Sequence, residues 1–131
     1  MSSSLGSSLL AGLVAGVVAA IVNALIFATG LIDQSVETPT GAAISLAPVV
    51  IFSIVPNILG AVVFWALQRR TSTPLRTWHI VVAAVTVLSF VTILGLEGAP
   101  VSMMLALAAM HVVAGIAAYV VTPAAAQRIA A

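Results

Sequence analysis

Four long apolar runs leave this chain very few folds. They cover residues 9–31, 42–67, 78–96 and 101–121, and no Asp, Glu or Arg falls inside any of them. A helix needs about 20 apolar residues to cross the hydrocarbon of a bilayer, and each run meets or approaches that length. In hydrocarbon every backbone N–H and C=O must be satisfied within the protein, so the runs are predicted as helices. The breaks between them are short, which predicts antiparallel neighbours. The expected architecture is an all-α, integral membrane four-helix antiparallel bundle, a single transmembrane domain over residues 1–131.

Charge agrees with this reading. Only 5% of the residues are charged, where a soluble domain carries about a quarter. Residues 1–8 form a polar lead without Lys or Arg. The run that follows is longer than the roughly 7–15 residues of a signal h-region, so it is predicted as a retained span. With four spans, the lead, the loop with Arg69, Arg70 and Arg76, and the tail with Arg128 share one side, while Asp33, Glu37 and Glu97 fall on the other. The positive-inside rule then predicts a multi-pass membrane protein with both termini cytoplasmic. The bilayer is its expected partner. A net charge of +1 offers no basic face for nucleic acid. The absence of cysteine removes disulfides, thiolate metal sites and cysteine nucleophiles.

The first run repeats small residues every fourth position: Ser8, Gly12, Gly16, Ala20, Ala24 and Ala28. Such a GxxxG-type ridge lets another helix backbone approach closely. The approaching helix is expected to be one of the chain's own. A homo-oligomer, or docking into a larger complex through Gly12, Gly16, Ala20 and Ala24, is the alternative. In the second run Pro48 suits a first helical turn. Pro56 falls mid-span, where proline removes a helical hydrogen bond and frees the carbonyl of Phe52. Asn57 stands beside it. Trp65 and Trp78 flank the arginine loop, as an interfacial aromatic belt would. No duplicated hairpin of the transporter kind stands out.

Polar residues at mid-membrane are costly, and ionisable ones lean functional. Counting from each span's midpoint at about 1.5 Å per residue puts His111 at the centre of the fourth run. The same count puts Thr86 and Ser89, Asn57 and Asn23 within about 5 Å of the centres of theirs. His111, Asn23, Asn57, Ser89 and Thr86 are therefore the candidate binding residues, a cluster centred on His111. Cross-helix hydrogen bonding to the carbonyl freed by Pro56 is the structural use of the same groups. His79 sits near the arginine loop and is expected at the interface, where polar tips reach water.

Little catalytic chemistry is available to these residues. His79 and His111 differ in depth by about 12 Å, too much to clasp one haem iron within a monomer. His111 with Met104 or Met110, or two copies of His111, leaves haem open, but no cofactor is expected. Zinc lacks ligands, since there is no cysteine and no carboxylate within the spans. A hydrolase would need an acid to orient His111 beside a nucleophile such as Ser89. The acids are all in the breaks. No catalytic residue, no metal site and no enzyme activity are expected.

Asn23-Ala24, a proline-bearing second span ending in Gln68-Arg69-Arg70, Leu88-Ser89, and Leu105-Ala-Leu-Ala-Ala-Met-His111 together resemble an uncharacterised family. Its members are small four-span membrane proteins, mainly actinobacterial, classed as a domain of unknown function. The resemblance covers nearly the whole chain and implies four spans and a role for Asn23, Ser89 and His111. It implies a bacterial plasma (inner) membrane and no activity. The expected function is that of a small non-enzymatic membrane protein acting by binding or helix association around His111, or of an accessory subunit of a larger membrane complex.

Overall fold

The structure, a computed structural model, describes residues 3–131. Its helices are α1 (Leu5–Ala28), α2 (Leu46–Arg70), α3 (Pro74–Ser89), a four-residue α4 (Val91–Leu94), α5 (Val101–Ile116), a π-helical segment (Ala117–Val121) and α6 (Thr122–Ala130). Grouped by continuity they make four rods long and apolar enough to cross a membrane: Leu5–Ala28, Leu46–Arg70, Pro74–Leu94 and Val101–Ala130. The protein is an all-α four-helix membrane bundle. Among the described residues the only β feature is an isolated bridge from Glu37 to Ala43.

Side-chain pairings set the directions. The start of α1 meets the end of α2, where the Ser3 N–H donates to Gln68 Oε1 at 3.1 Å. Further along, Gly12 faces Asn57 and Ala61, and Gly16 faces Ile54. The two helices are antiparallel. Asn23 reaches the Met110 carbonyl, and Ala15 and Ala19 pack on Ala117, so the fourth rod also runs against α1. Trp78 binds the Ala118 carbonyl and Thr92 lies near His111, so the third rod runs against the fourth. All four arginines consequently lie at one end and all three acids at the other.

The small-residue ridge is spent inside the chain. Ser8, Gly12, Gly16 and Ala20 are buried, Ala24 is half-buried and Ala28 is exposed. A Cβ at Gly12 would stand 2.7 Å from the Asn57 carbonyl oxygen, and one at Gly16 would stand 2.8 Å from the Ile54 Cα. The two backbones touch where only glycine leaves room. Gly12, Gly16 and Ala20 are buried within the chain, Gly12 and Gly16 against α2, so docking of a partner through them has no surface left.

Span ends move by up to a turn or more from the predicted ones. α1 starts at Leu5 because the Ser4 hydroxyl caps the Ser7 N–H at 3.0 Å, so most of the polar lead is helical. It ends before Gly30, whose φ of +78° is a left-handed helix stop that glycine adopts freely. α2 starts late, at Leu46, with Pro48 in its first turn, and carries Gln68, Arg69 and Arg70 as helix. The 29–45 connection folds back over the acid end, where Ile32 and Val36 are buried against Val49, Ile93 and Met103.

Two rods depart from regular α-helix for identifiable reasons. The third rod is interrupted at Phe90, between α3 and α4. There the Ser89 hydroxyl donates to the Thr86 carbonyl and the Thr92 hydroxyl to the Ser89 carbonyl, at 2.6 and 2.7 Å. Such back-bonding competes with the helical ladder and bends it. The fourth rod, expected over residues 101–121, continues through Pro123 to Ala130. The preceding turn widens to π form, with the Thr122 N–H donating five residues back to Ala117. The next bond in that register would come from Pro123, which has no N–H. The orphaned Ala118 carbonyl accepts instead from Trp78 Nε1 at 3.0 Å. Trp78 is thus a buried core residue, 2% exposed and tilted against Phe64, rather than part of an interfacial belt.

Candidate functional site

The five predicted site residues divide into two groups. Asn23 of α1 donates from Nδ2 to Ser53 Oγ at 2.9 Å and to the Met110 carbonyl at 3.2 Å. Ser53 Oγ in turn donates to the Val49 carbonyl at 2.7 Å. Asn57 Nδ2 donates to the Ser53 carbonyl at 2.8 Å. Asn57 therefore serves the carbonyl next to the one Pro56 was expected to free, that of Phe52. Asn23, Ser53 and Asn57 are all more than nine-tenths buried and tie α1, α2 and α5 at one level. Two buried acceptors, Asn23 Oδ1 and Asn57 Oδ1, have no hydrogen-bond partner.

His111 does not belong to that group. Its α-carbon neighbour Met110 gives the carbonyl to Asn23, but successive side chains on a helix point about 100° apart. The ring faces α3 and α4. Nδ1 lies 2.7 Å from the Leu107 carbonyl, which can only accept, so Nδ1 carries the proton of the neutral ring. Nε2 is then an acceptor, and its neighbour is Thr92 Oγ1 at 3.5 Å. The Thr92 hydroxyl hydrogen is already given to Ser89. In the neutral ring Nε2 therefore presents a lone pair with no donor from Thr92. Phe90 flanks the ring at 6.1 Å between centroids.

Thr86 and Ser89 connect to His111 only through backbone. Ser89 bonds Thr86, Thr92 bonds Ser89, and Thr86 packs its side chain over Gly115, one turn beyond His111. This track is half-buried at Thr86, Ser89 and His111, and exposed at Thr92. The cluster centred on His111 with contributions from every helix is therefore corrected. One seam joins α1, α2 and α5 without a titratable group, and one track joins α3, α4 and α5.

Sequence reasoning did not include Ser53 or Thr92 among the site residues. Ser53 carried a signal: it lies four residues before Asn57 and on the same helix face. His79 stacks on Tyr119 at 3.7 Å, toward the arginine end, and is not brought to His111. Among the described residues no three His, Cys, Asp or Glu come together as a metal site would require. Trp65 Nε1 is buried without a partner beneath Arg69, whose guanidinium lies 4.7 Å from the ring centroid.

These features define a class: a four-span α-helical membrane protein with polar groups at mid-depth. Residues 3–131 match the model of the family of unknown function DUF6069, and the chain belongs to that family. No curated protein and no solved structure matches it.

Proposed function

We propose that this is a small non-enzymatic protein of the bacterial inner membrane, both termini cytoplasmic, that acts by binding or helix association through the track around His111. The observation that carries the reading is the acceptor at His111 Nε2, beside an exposed Thr92 at membrane depth. Polar groups facing lipid are expensive, and a hydrogen-bond donor on a partner helix would satisfy Nε2. No acid stands beside His111 among its hydrogen-bond contacts, which favours recognition over catalysis. The arginine distribution supports the orientation.

The chain has no cysteine, so single-cysteine variants report cleanly. Thr92→Cys in native membranes is expected to give a discrete cross-linked species that His111→Ala abolishes. Its mass separates a second copy from an accessory role in a larger complex. Cross-linking at Thr92→Cys that His111→Ala leaves unchanged would refute the proposal. Orientation is read separately, by a reporter fused after Arg128, expected on the cytoplasmic side.

A further inference from the structure

A second feature lies at the arginine end. Between the first turns of α3 and the π segment runs an open groove of about 830 Å³, within the usual size of ligand sites. Arg76 lines it in the first turn of α3, at the level where a span leaves the hydrocarbon. His79, stacked on Tyr119, forms one wall. Ile80 and Ala83 continue the groove one and two turns deeper, where the surroundings are acyl chains.

Charge makes the groove selective. Arg76 is exposed, and no acidic side chain shares its end of the bundle, because Asp33, Glu37 and Glu97 sit in the opposite loops. Arg69 is engaged over Trp65, whereas Arg76 opens on the groove. The π turn that carries Tyr119 is a local distortion of the kind that recurs at functional sites. Basic pockets between spans at the cytoplasmic surface suit lipid head groups.

We infer that this groove binds an anionic phospholipid, its phosphate held by Arg76 and the His79 ring N–H and one acyl chain lying along Ile80 and Ala83. A free phosphate would use the cationic rim and leave the apolar length empty. The site is separate from the His111 track and stands or falls independently of it.

Native mass spectrometry of the full chain in detergent, with phosphatidylglycerol, phosphatidylcholine or inorganic phosphate added, tests the assignment. Phosphatidylglycerol is expected to be retained over phosphatidylcholine, with Arg76→Gln lowering that retention about fivefold, the scale of one interfacial charge. Ala83→Phe, which fills the groove and keeps every charge, is expected to lower it as well. Arg70→Gln, away from the groove, is expected to leave it nearly unchanged. The inference is overturned if phosphatidylcholine is retained equally, if Arg70→Gln matches Arg76→Gln, if Ala83→Phe has no effect, or if inorganic phosphate displaces the lipid.

Discussion

Asn23 reaches α5 at the carbonyl of Met110, the residue next to His111, yet the surroundings of Asn23 and His111 differ in kind. Around Asn23 the helices approach to backbone contact, glycine faces backbone, and the polar groups are sealed. Around His111 the packing is side chain against helix, and the track reaches an exposed threonine. Depth in the membrane is shared, and access is what separates them. Polar groups that hold spans together and polar groups that can meet a partner thus occupy one level on different sides of α5.

The largest expected effect tests the tightness of the two seams. Gly16→Ala drives a methyl into the Ile54 backbone and is expected to cost about 2–3 kcal/mol of stability in detergent unfolding. Gly115→Ala meets only the Thr86 side chain and should cost about 1 kcal/mol. Equal costs would erase the contrast. Next comes Asn23→Leu, which removes bonds to two helices and is expected to lower stability by about 1–2 kcal/mol on the same assay. His111→Ala should cost less than about 1 kcal/mol, since the ring is half-buried and makes one short bond, while abolishing the Thr92→Cys cross-link. A variant that unfolded as readily as Asn23→Leu would move His111 into the structural class.

The smallest effect lies at the acid end. Asp33 is held below its ordinary pKa of 3.8, first by the Ser35 hydroxyl and then by the Ser35 N–H, both donating to Oδ1. A lowered carboxyl pKa stabilises the fold above about pH 3.8 and loses that contribution as pH falls through the folded-state value. Asp33→Asn should flatten only this acid limb, read from the unfolding midpoint against pH, and leave both mid-membrane seams unaffected.

Hydropathy and the placement of charge were enough to read the four spans, their antiparallel order and the gathering of arginines at one end. The glycine spacing in α1 pointed to close packing, and α2, the next span in the chain, takes it. Azimuth was not legible. Counting residues places Asn23, Asn57 and His111 at similar depth, but whether two such side chains meet depends on helix rotation, which packing partners set. The same limit hid the pairing of Asn23 with Ser53. Continuation through Pro123 was obscured for another reason: the π turn depends on Trp78, forty residues earlier, taking up the Ala118 carbonyl.

The backbone contact between Gly16 and Ile54 also bears on how the protein is made. Its two helices are consecutive, with residues 29–45 between them, so this backbone contact joins segments near in sequence. At synthesis rates of about 5–20 residues per second, α2 follows α1 into the membrane within roughly ten seconds. A hairpin of α1 and α2 can then close, and Asn23 can find Ser53, before the third and fourth rods have both entered the membrane. The later spans are delivered to a surface already built. The fourth rod, made last, packs directly on α1, while the third stays at the periphery, and its polar track is what that arrangement leaves outermost.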